Sequence, residues 1–211
     1  MNATMMKRIG LAVATLALTC GASVQAQAPN DVETYQFRGL NGHASGYQED
    51  SCTVRSVSFY ALQNTTHEDG SGQPVTSDRG YVGWYSFNRC TFTYTAGYGI
   101  GDLDISGNFN QLTASGSLSG WQYGTGAVTV GVNLRLDGSG NYVSRGESSY
   151  SISSPYLFSH VRFSGTFVAD ATVSGSITIG STNLLDGLSH GYASVGESNS
   201  GFVTMYRSPD Q

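Results

Sequence analysis

The segment Ala127–Asp137, which reads AVTVGVNLRLD, decides the fold class. Its apolar side chains recur at every second position, and the positions between them are polar or small. The apolar set is Val128, Val130, Val132, Leu134 and Leu136. Successive side chains of a β-strand point to opposite faces, so this pattern predicts a strand with one buried and one wet face. After the first 26 residues, no window shows the apolar spacing of an amphipathic helix.

The same alternation recurs in short segments along the rest of the chain, and many of them end at turns that contain glycine. These segments are 33–38, 43–48, 53–62, 81–88, 91–95, 103–109, 113–122, 149–152, 156–167, 171–179, 191–195 and 201–207. About a dozen short strands at near-regular spacing predict an all-β sandwich or barrel. We expect an antiparallel β-sandwich, of the jelly-roll or Ig-like type.

The first 26 residues have the organisation of a secretory signal peptide. Lys7 and Arg8 precede the uncharged apolar run 9–19, and Val24-Gln25-Ala26 supplies the small residues that a signal peptidase recognises. The apolar run is too short to span a bilayer. We therefore expect a signal peptide at 1–26 and a single β-sandwich domain at 27–211. The mature chain would be secreted or periplasmic, with no transmembrane segment.

The charge of the predicted mature chain argues against nucleic acid as a partner. Removal of Lys7 and Arg8 leaves 8 basic groups against 15 acidic ones, a formal charge of −7. The remaining basic residues are all arginines, and no two are adjacent. Such a chain repels a phosphate backbone. Only 12% of all residues are charged, so we expect a surface rich in hydroxyl and amide groups.

Cysteine usage predicts one disulfide bond. Cys20 lies in the predicted signal peptide, which leaves Cys52 and Cys90 as an even pair in an oxidising compartment. The alternative is two buried free thiols. A bridge between them would stabilise the fold by about 4 kcal/mol in the chain-entropy model.

Aromatic residues of the central third give the best indication of a binding site. The segment 81–87 carries rings at both odd and even positions, so one face packs the core while the other leaves rings near water. Exposed rings stack on sugars or pack against a partner. The predicted ligand-binding residues are Trp84, Tyr85, Trp121 and Tyr123. The alternative is a strand that is buried on both faces.

Two acidic residues form a candidate metal site. Asp102 and Asp104 follow a glycine-rich bend, and two carboxylates at this spacing suit a hard cation such as Ca²⁺. The alternative is that both face solvent at the start of a strand. The pair Glu68-Asp69 is a comparable candidate. The histidines lack the spacing of a zinc site, and we expect no other cofactor.

Two further segments bear on function. The connection 63–78 shows no periodicity, and we expect a long loop that is functional or mobile. The motif Gly187-Leu188-Ser189-His190-Gly191 matches the nucleophile elbow of hydrolases, but no histidine follows it as that mechanism requires. We interpret it as a turn, and we assign no catalytic residue.

Several short motifs carry a resemblance that covers most of the mature chain. They are Phe37, His43-Ala44-Ser45-Gly46, Ser51-Cys52-Thr53-Val54, Cys90, and the segments 163–167 and 173–176. In this order they resemble a group of secreted, β-rich bacterial proteins of unknown function. The resemblance implies a β fold and export, and it carries over no site residue.

The sequence therefore favours an exported, non-catalytic binding module for a glycan or a cell-surface component. One alternative is a structural or adhesive surface protein whose Ser/Thr/Gly-rich strands associate edge to edge. Another is a secreted hydrolase with a site built from scattered acidic residues. Neither the ligand nor the oligomeric state follows from the sequence.

Overall fold

The structure is a computed structural model that describes residues 31–68, 73–153, 158–188 and 190–206. In these ranges it contains ten β-strands and no helix. The strands are β1 Asp31–Glu49, β2 Thr53–Glu68, β3 Val75–Asn88, β4 Thr93–Gly101, β5 Asp104–Asn108, β6 Gln111–Gln122, β7 Gly126–Ser153, β8 Phe158–Ile179, β9 Thr182–Asn183 and β10 His190–Tyr206. The predicted signal peptide lies outside the described residues.

All strand pairs are antiparallel and belong to one hydrogen-bonded sheet. The pairing runs β10–β1–β2–β3–β4–β6–β7–β8, and β8 pairs with β10 again, so the circuit of neighbours closes. The small strands β5 and β9 pair with β6 and β8, respectively. The predicted all-β antiparallel fold is confirmed. The expectation of about a dozen short strands is wrong for the described residues, because β1, β7 and β8 run for 19, 28 and 22 residues. The pairing of the described strands forms one continuous sheet, and the sandwich arrangement stays a prediction.

The core lies on the inward side of the alternating strands. In β7, Val130, Val132, Leu134 and Leu136 are buried, as the period of two predicts. The inward side chains of β2 and β6 meet them, and Phe59, Leu112 and Leu118 are among the largest fully buried residues. Within the described residues, no helix is long and apolar enough to cross a membrane.

Inward-facing glycines of β4 make room for large neighbours. A Cβ added at Gly97 would lie 2.2 Å from Trp84 Cζ2, and one added at Gly99 would lie 2.9 Å from Val130 Cγ2. Close packing tolerates no such overlap. Trp84 and Val130 can therefore pack against β4 only because positions 97 and 99 carry no side chain.

The predicted disulfide is present. Cys52 and Cys90 are bonded, with a Cα–Cα distance of 5.2 Å, at the end of the β2–β3 hairpin where Thr53 pairs with Asn88. Two side-chain caps fix the turns beside the bond. The Asp50 carboxylate accepts hydrogen bonds from the backbone N–H groups of Cys52 and Thr53, and Asn88 Oδ1 accepts the same from Cys90 and Thr91.

The prediction of a long loop at 63–78 is wrong for most of this segment. Strand β2 continues to Glu68, β3 begins at Val75, and the pairing extends to Thr66 opposite Val75. Across this end of the hairpin, the hydroxyls of Thr65 and Thr76 lie 3.1 Å apart. Polar residues occupy both faces here, so the alternation that marks a half-buried strand is missing. Of the candidate pair Glu68-Asp69, Asp69 lies outside the described residues.

The second half of β7 extends past the main core. A register irregularity between Gly138 and Tyr142 divides the strand, after which Tyr142–Ser153 pairs with the first half of β8. Strand β6 pairs with β7 only over Gly126–Asp137. Residues 141–149 are exposed along their whole length. We call the segment 142–153 the distal arm of β7.

Candidate binding surface

The outward sides of β10, β1, β2 and β3 carry a row of four rings. Tyr192, His43, Tyr60 and Tyr81 come from four strands that are neighbours in the sheet. The His43 ring lies 4.5 Å from the Tyr60 ring and 5.7 Å from the Tyr192 ring, between centroids. The Tyr60 and Tyr81 rings are 6.2 Å apart. We call this set the ring row.

The ring row is held in place by strand register. His43 pairs with Tyr60 across β1 and β2, and Tyr60 pairs with Tyr81 across β2 and β3, so the three residues share the outward face. Their inward neighbours, such as Ala44, Phe59 and Val82, lie in the core. Despite the ring contacts, Tyr60 and Tyr192 keep 51% and 52% of their surface exposed.

A shallow depression of about 410 Å³ lies beside the ring row. Small outward side chains form its floor, because Ser45 pairs with Ser58 in the next register row and Ser56 follows on β2. Tyr47 and Tyr192 stand at its sides. The backbone at Gly46, Val57 and Gly191 completes the lining, which contains no charged side chain.

On β3, the residue in register with Ser45 and Ser58 is a glycine, so no side chain projects from the surface there. Gly83 pairs with Ser58, and Ser58 Oγ lies 3.5 Å from the Gly83 carbonyl oxygen to which it donates. A Cβ added at Gly83 would lie 2.9 Å from the Tyr81 hydroxyl and 3.1 Å from Ser58 Oγ. The Tyr81 hydroxyl therefore lies over the glycine, close to the serine floor.

One side of the depression is fixed by a polar network. The Tyr47 hydroxyl donates to the Glu49 carboxylate, which also forms a salt bridge with Arg89. The hydrogen bond to Glu49 raises the pKa of Tyr47. The hydrogen bonds from Tyr47 and Arg89 lower the pKa of Glu49. Glu49 thus stays ionised and orients the tyrosine, and Arg89 balances its charge.

The surroundings of His43 favour its neutral form. Burial among its neighbours lowers the pKa of His43 below its usual value. In this state the ring row presents an uncharged surface of three phenol rings and one imidazole. Flat amphipathic rings with hydroxyl groups nearby suit a ligand that is apolar on its faces and polar at its edges.

A second ring cluster lies at the end of β3, β4 and β6. Tyr94 lies 5.4 Å from Tyr85 and 6.1 Å from Tyr123, between ring centroids. Trp121 pairs in register with Tyr98 on the same outward side. Trp121 is 53% exposed and Tyr123 is 72% exposed. Of the predicted ligand-binding residues, Tyr85, Trp121 and Tyr123 therefore lie at this cluster, with Tyr85 partly buried.

The prediction that Trp84 is a ligand-binding residue is corrected by its position in the structure. It points inward from β3, is 7% exposed, and packs against Gly97. Its ring belongs to the core, since odd positions of β3 face outward and even positions face inward. We therefore remove Trp84 from the candidate ligand-binding residues.

The candidate calcium residues belong to neither ring cluster. Asp102 Oδ1 is 3.2 Å from Arg79 Nη1, and Asp104 begins β5, where it pairs with Ser115. Both residues are exposed. Nowhere in the described ranges do three His, Cys, Asp or Glu side chains group in a way that could hold a metal ion. Calcium binding at this pair stays a prediction.

The sequence motif of the nucleophile elbow falls at a turn. Gly187 has a φ of 74°, which is the left-handed conformation that glycine adopts readily, and Leu188 packs against the core. Ser189 lies outside the described residues, and His190 begins β10.

Sequence reasoning missed the ring row and its depression. Tyr60 and Tyr192 were both placed in predicted strands, yet the pairing of β10 with β1 brings together residues from opposite ends of the chain. The sequence signal that was available is the position of Tyr60 between the apolar residues Phe59 and Ala61.

Comparison with known proteins adds little to this surface. No protein-family model matches the chain, and no curated protein sequence matches it either. Among solved structures, the chain is similar to a Nitrosomonas europaea protein provisionally named AttH, with 11% identity and a TM-score of 0.26. The alignment covers 90% of this chain and 59% of that one, so the chain spans less than two thirds of its length. A TM-score this low establishes neither a shared fold nor a shared function.

Proposed function

We propose that the protein is an exported, non-catalytic binding module that takes an uncharged glycan at the ring row and its serine-floored depression. The observation that carries the proposal is the contiguous arrangement of Tyr192, His43, Tyr60 and Tyr81 beside hydroxyl groups. Ligand sites combine aromatic walls with a few polar groups that fix orientation. Tyrosine rings serve such sites because each offers an apolar face and a hydrogen-bonding edge.

The lining of the depression favours a neutral ligand over a charged one. It consists of three serines, two glycines, two tyrosines and one valine. The nearest charges on the Tyr47 side, Glu49 and Arg89, neutralise each other. An anionic or cationic ligand would find no partner in this lining.

The same lining favours binding over hydrolysis. Glycoside hydrolysis generally uses a pair of carboxylates that flank the scissile bond. The depression supplies hydroxyls and rings but no carboxylate. Export of the chain is part of the proposal, and it is supported by the signal-like first 26 residues and by the disulfide between Cys52 and Cys90, a bond typical of oxidising compartments.

A glycan array tests the proposal with the mature chain and matched variants. One variant, Tyr60→Ala/Tyr192→Ala, removes rings from the ring row. A second, Trp121→Ala/Tyr123→Ala, removes rings from the predicted cluster. Phe163→Ala serves as the control, because Phe163 is an exposed ring on β8, outside both groups.

The expected result is a specific array signal for the mature chain that the ring-row variant loses and the control keeps. Retention of that signal by the Trp121→Ala/Tyr123→Ala variant would assign the ligand to the ring row alone. Loss only in this second variant would move the site to the predicted cluster and overturn the assignment to the ring row. The absence of any glycan signal would overturn the function itself.

A further inference from the structure

Beyond Tyr142, whose ring packs against Phe109, the distal arm of β7 presents a strand edge that no described strand pairs with. On one side, Tyr142–Ser153 pairs with β8, and among the described residues no strand pairs with the other side. The arm contains neither proline nor lysine, and its one register irregularity lies before it, at Gly138/Tyr142. Native proteins commonly protect such edges with lysine, proline, bulges or a covering element, because free N–H and C=O groups pair readily with another strand.

The sequence of this edge is self-complementary. Residues 142–150 read YVSRGESSY, with Gly146 at the centre. Antiparallel pairing of this segment with a copy of itself, centred on Gly146, places Arg145 opposite Glu147 twice. The same register places Tyr142 opposite Tyr150 and Ser144 opposite Ser148.

The charges at the centre of the arm are available for such a pairing. Arg145 and Glu147 are both exposed, and in the described part of the chain neither forms a salt bridge. On β8 they face Thr166 and Ser164, which carry no charge. By contrast, Arg135 and Asp137, at the same spacing earlier in β7, bond to each other.

We propose that the distal arm of β7 pairs edge to edge with the same arm of a second copy of this chain, across a two-fold axis at Gly146. Directly opposed residues of antiparallel strands lie on the same face, so each Arg145 meets Glu147 of the second copy. A two-fold interface uses one patch twice and therefore requires the self-complementarity seen here. The inference is independent of the glycan site, which lies on other strands.

Charge reversal tests the register in solution. Sedimentation equilibrium of the mature chain is expected to show a concentration-dependent dimer. Arg145→Glu and Glu147→Arg each place like charges opposite each other twice, so each is expected to weaken dimerisation at least about tenfold. The double variant Arg145→Glu/Glu147→Arg restores opposite charges and is expected to restore the dimer. Arg162→Glu is the control, because Arg162 lies on β8 rather than at the edge.

A cysteine pair tests the two-fold axis directly. Gly146→Cys places two thiols opposite each other, within the Cα–Cα range of a disulfide. The site accepts a side chain, since the nearest atom to an added Cβ is the Ser164 carbonyl oxygen at 3.4 Å. Ser144→Cys is the control, because its copy would lie about four residues away along the strand, or roughly 13 Å.

Three results would overturn the proposal. The first is a mature chain that remains monomeric up to millimolar concentration, as it would if other residues of the same chain covered the edge. The second is a dimer that both single reversals leave unchanged. The third is equal disulfide cross-linking of Gly146→Cys and Ser144→Cys. Cross-linking of Gly146→Cys alone, together with rescue by the double reversal, supports it.

Discussion

Trp84 of β3 packs directly on Gly97 of β4, and the indole occupies the space where any other residue at position 97 would place its Cβ. That atom would lie 2.2 Å from Trp84 Cζ2 and 2.5 Å from the Trp121 carbonyl oxygen. One contact thus explains both why Trp84 is 7% exposed and why β4 carries glycine at this position.

We expect Gly97→Ala to lower the free energy of unfolding by about 2–3 kcal/mol, because the added methyl overlaps the indole and a backbone oxygen. Urea denaturation measures the change. Gly101→Ala is the matched control on the same strand, since its Cβ would meet only ordinary contacts at 3.6 Å or more. We expect this control to alter stability by less than about 1 kcal/mol. Equal effects of the two substitutions would contradict the packing.

The disulfide at the end of the β2–β3 hairpin gives a second prediction. The variant Cys52→Ser/Cys90→Ser is expected to lose about 4 kcal/mol of stability in urea, because a bond across 38 residues restricts the unfolded chain. Ser51→Ala, beside the bond, serves as the control. Two free thiols at these positions in the denatured, unreduced protein, or a loss below about 1 kcal/mol, would disagree with this role.

The environment of Glu197 predicts that part of the protein's stability is lost at acid pH. Burial alone raises the pKa of Glu197, but hydrogen bonds from Arg38 and Asn199, the Arg38 charge and the backbone N–H of Phe109 together lower it below the usual value of 4.5. The carboxylate therefore stabilises the fold above pH 4.5, and this contribution is lost as the pH falls through the lower folded-state pKa.

Glu197→Gln tests this contribution. We expect the variant to be less stable than the parent by about 1 kcal/mol at pH 7, with the difference shrinking below pH 4.5 as Glu197 itself becomes neutral. Chemical denaturation of both proteins at a series of pH values gives the two curves. Asp170→Asn, which changes an exposed carboxylate on β8, is the control. A difference that is constant with pH would contradict the linkage.

The depression can be blocked from its floor. Ser58 points outward between the buried residues Val57 and Phe59, so Ser58→Arg fills the depression and leaves the core intact. We expect at least about tenfold weaker glycan binding, which is about 1.4 kcal/mol, with an unchanged melting temperature. Ser174→Arg, an exposed position on β8, is the control. Full binding by Ser58→Arg would place the ligand elsewhere.

The sequence was sufficient to predict the strand at 127–137 and the disulfide. The period of two in 127–137 depends on neighbouring residues only, and Val130 and Leu136 are fully buried as that period requires. The bond between Cys52 and Cys90 followed from their number and the expected compartment.

The sequence was not sufficient to predict which strands become neighbours. His43 and Tyr192 meet because β10 pairs with β1, and no local pattern encodes that pairing. The inward position of Trp84 was equally hidden, because its strand carries rings at both odd and even positions. The glycine at position 97, on the next strand, is what gives Trp84 its space.

The most direct test of the central claim is the dissociation constant of an array-selected glycan for the mature chain and for Tyr192→Ala, measured by isothermal titration calorimetry. We expect Tyr192→Ala to weaken binding about 5- to 30-fold, since loss of an aromatic contact residue at a small interface costs about 1–2 kcal/mol. Phe163→Ala should bind like the parent. Equal dissociation constants for all three proteins would contradict a glycan site at the ring row.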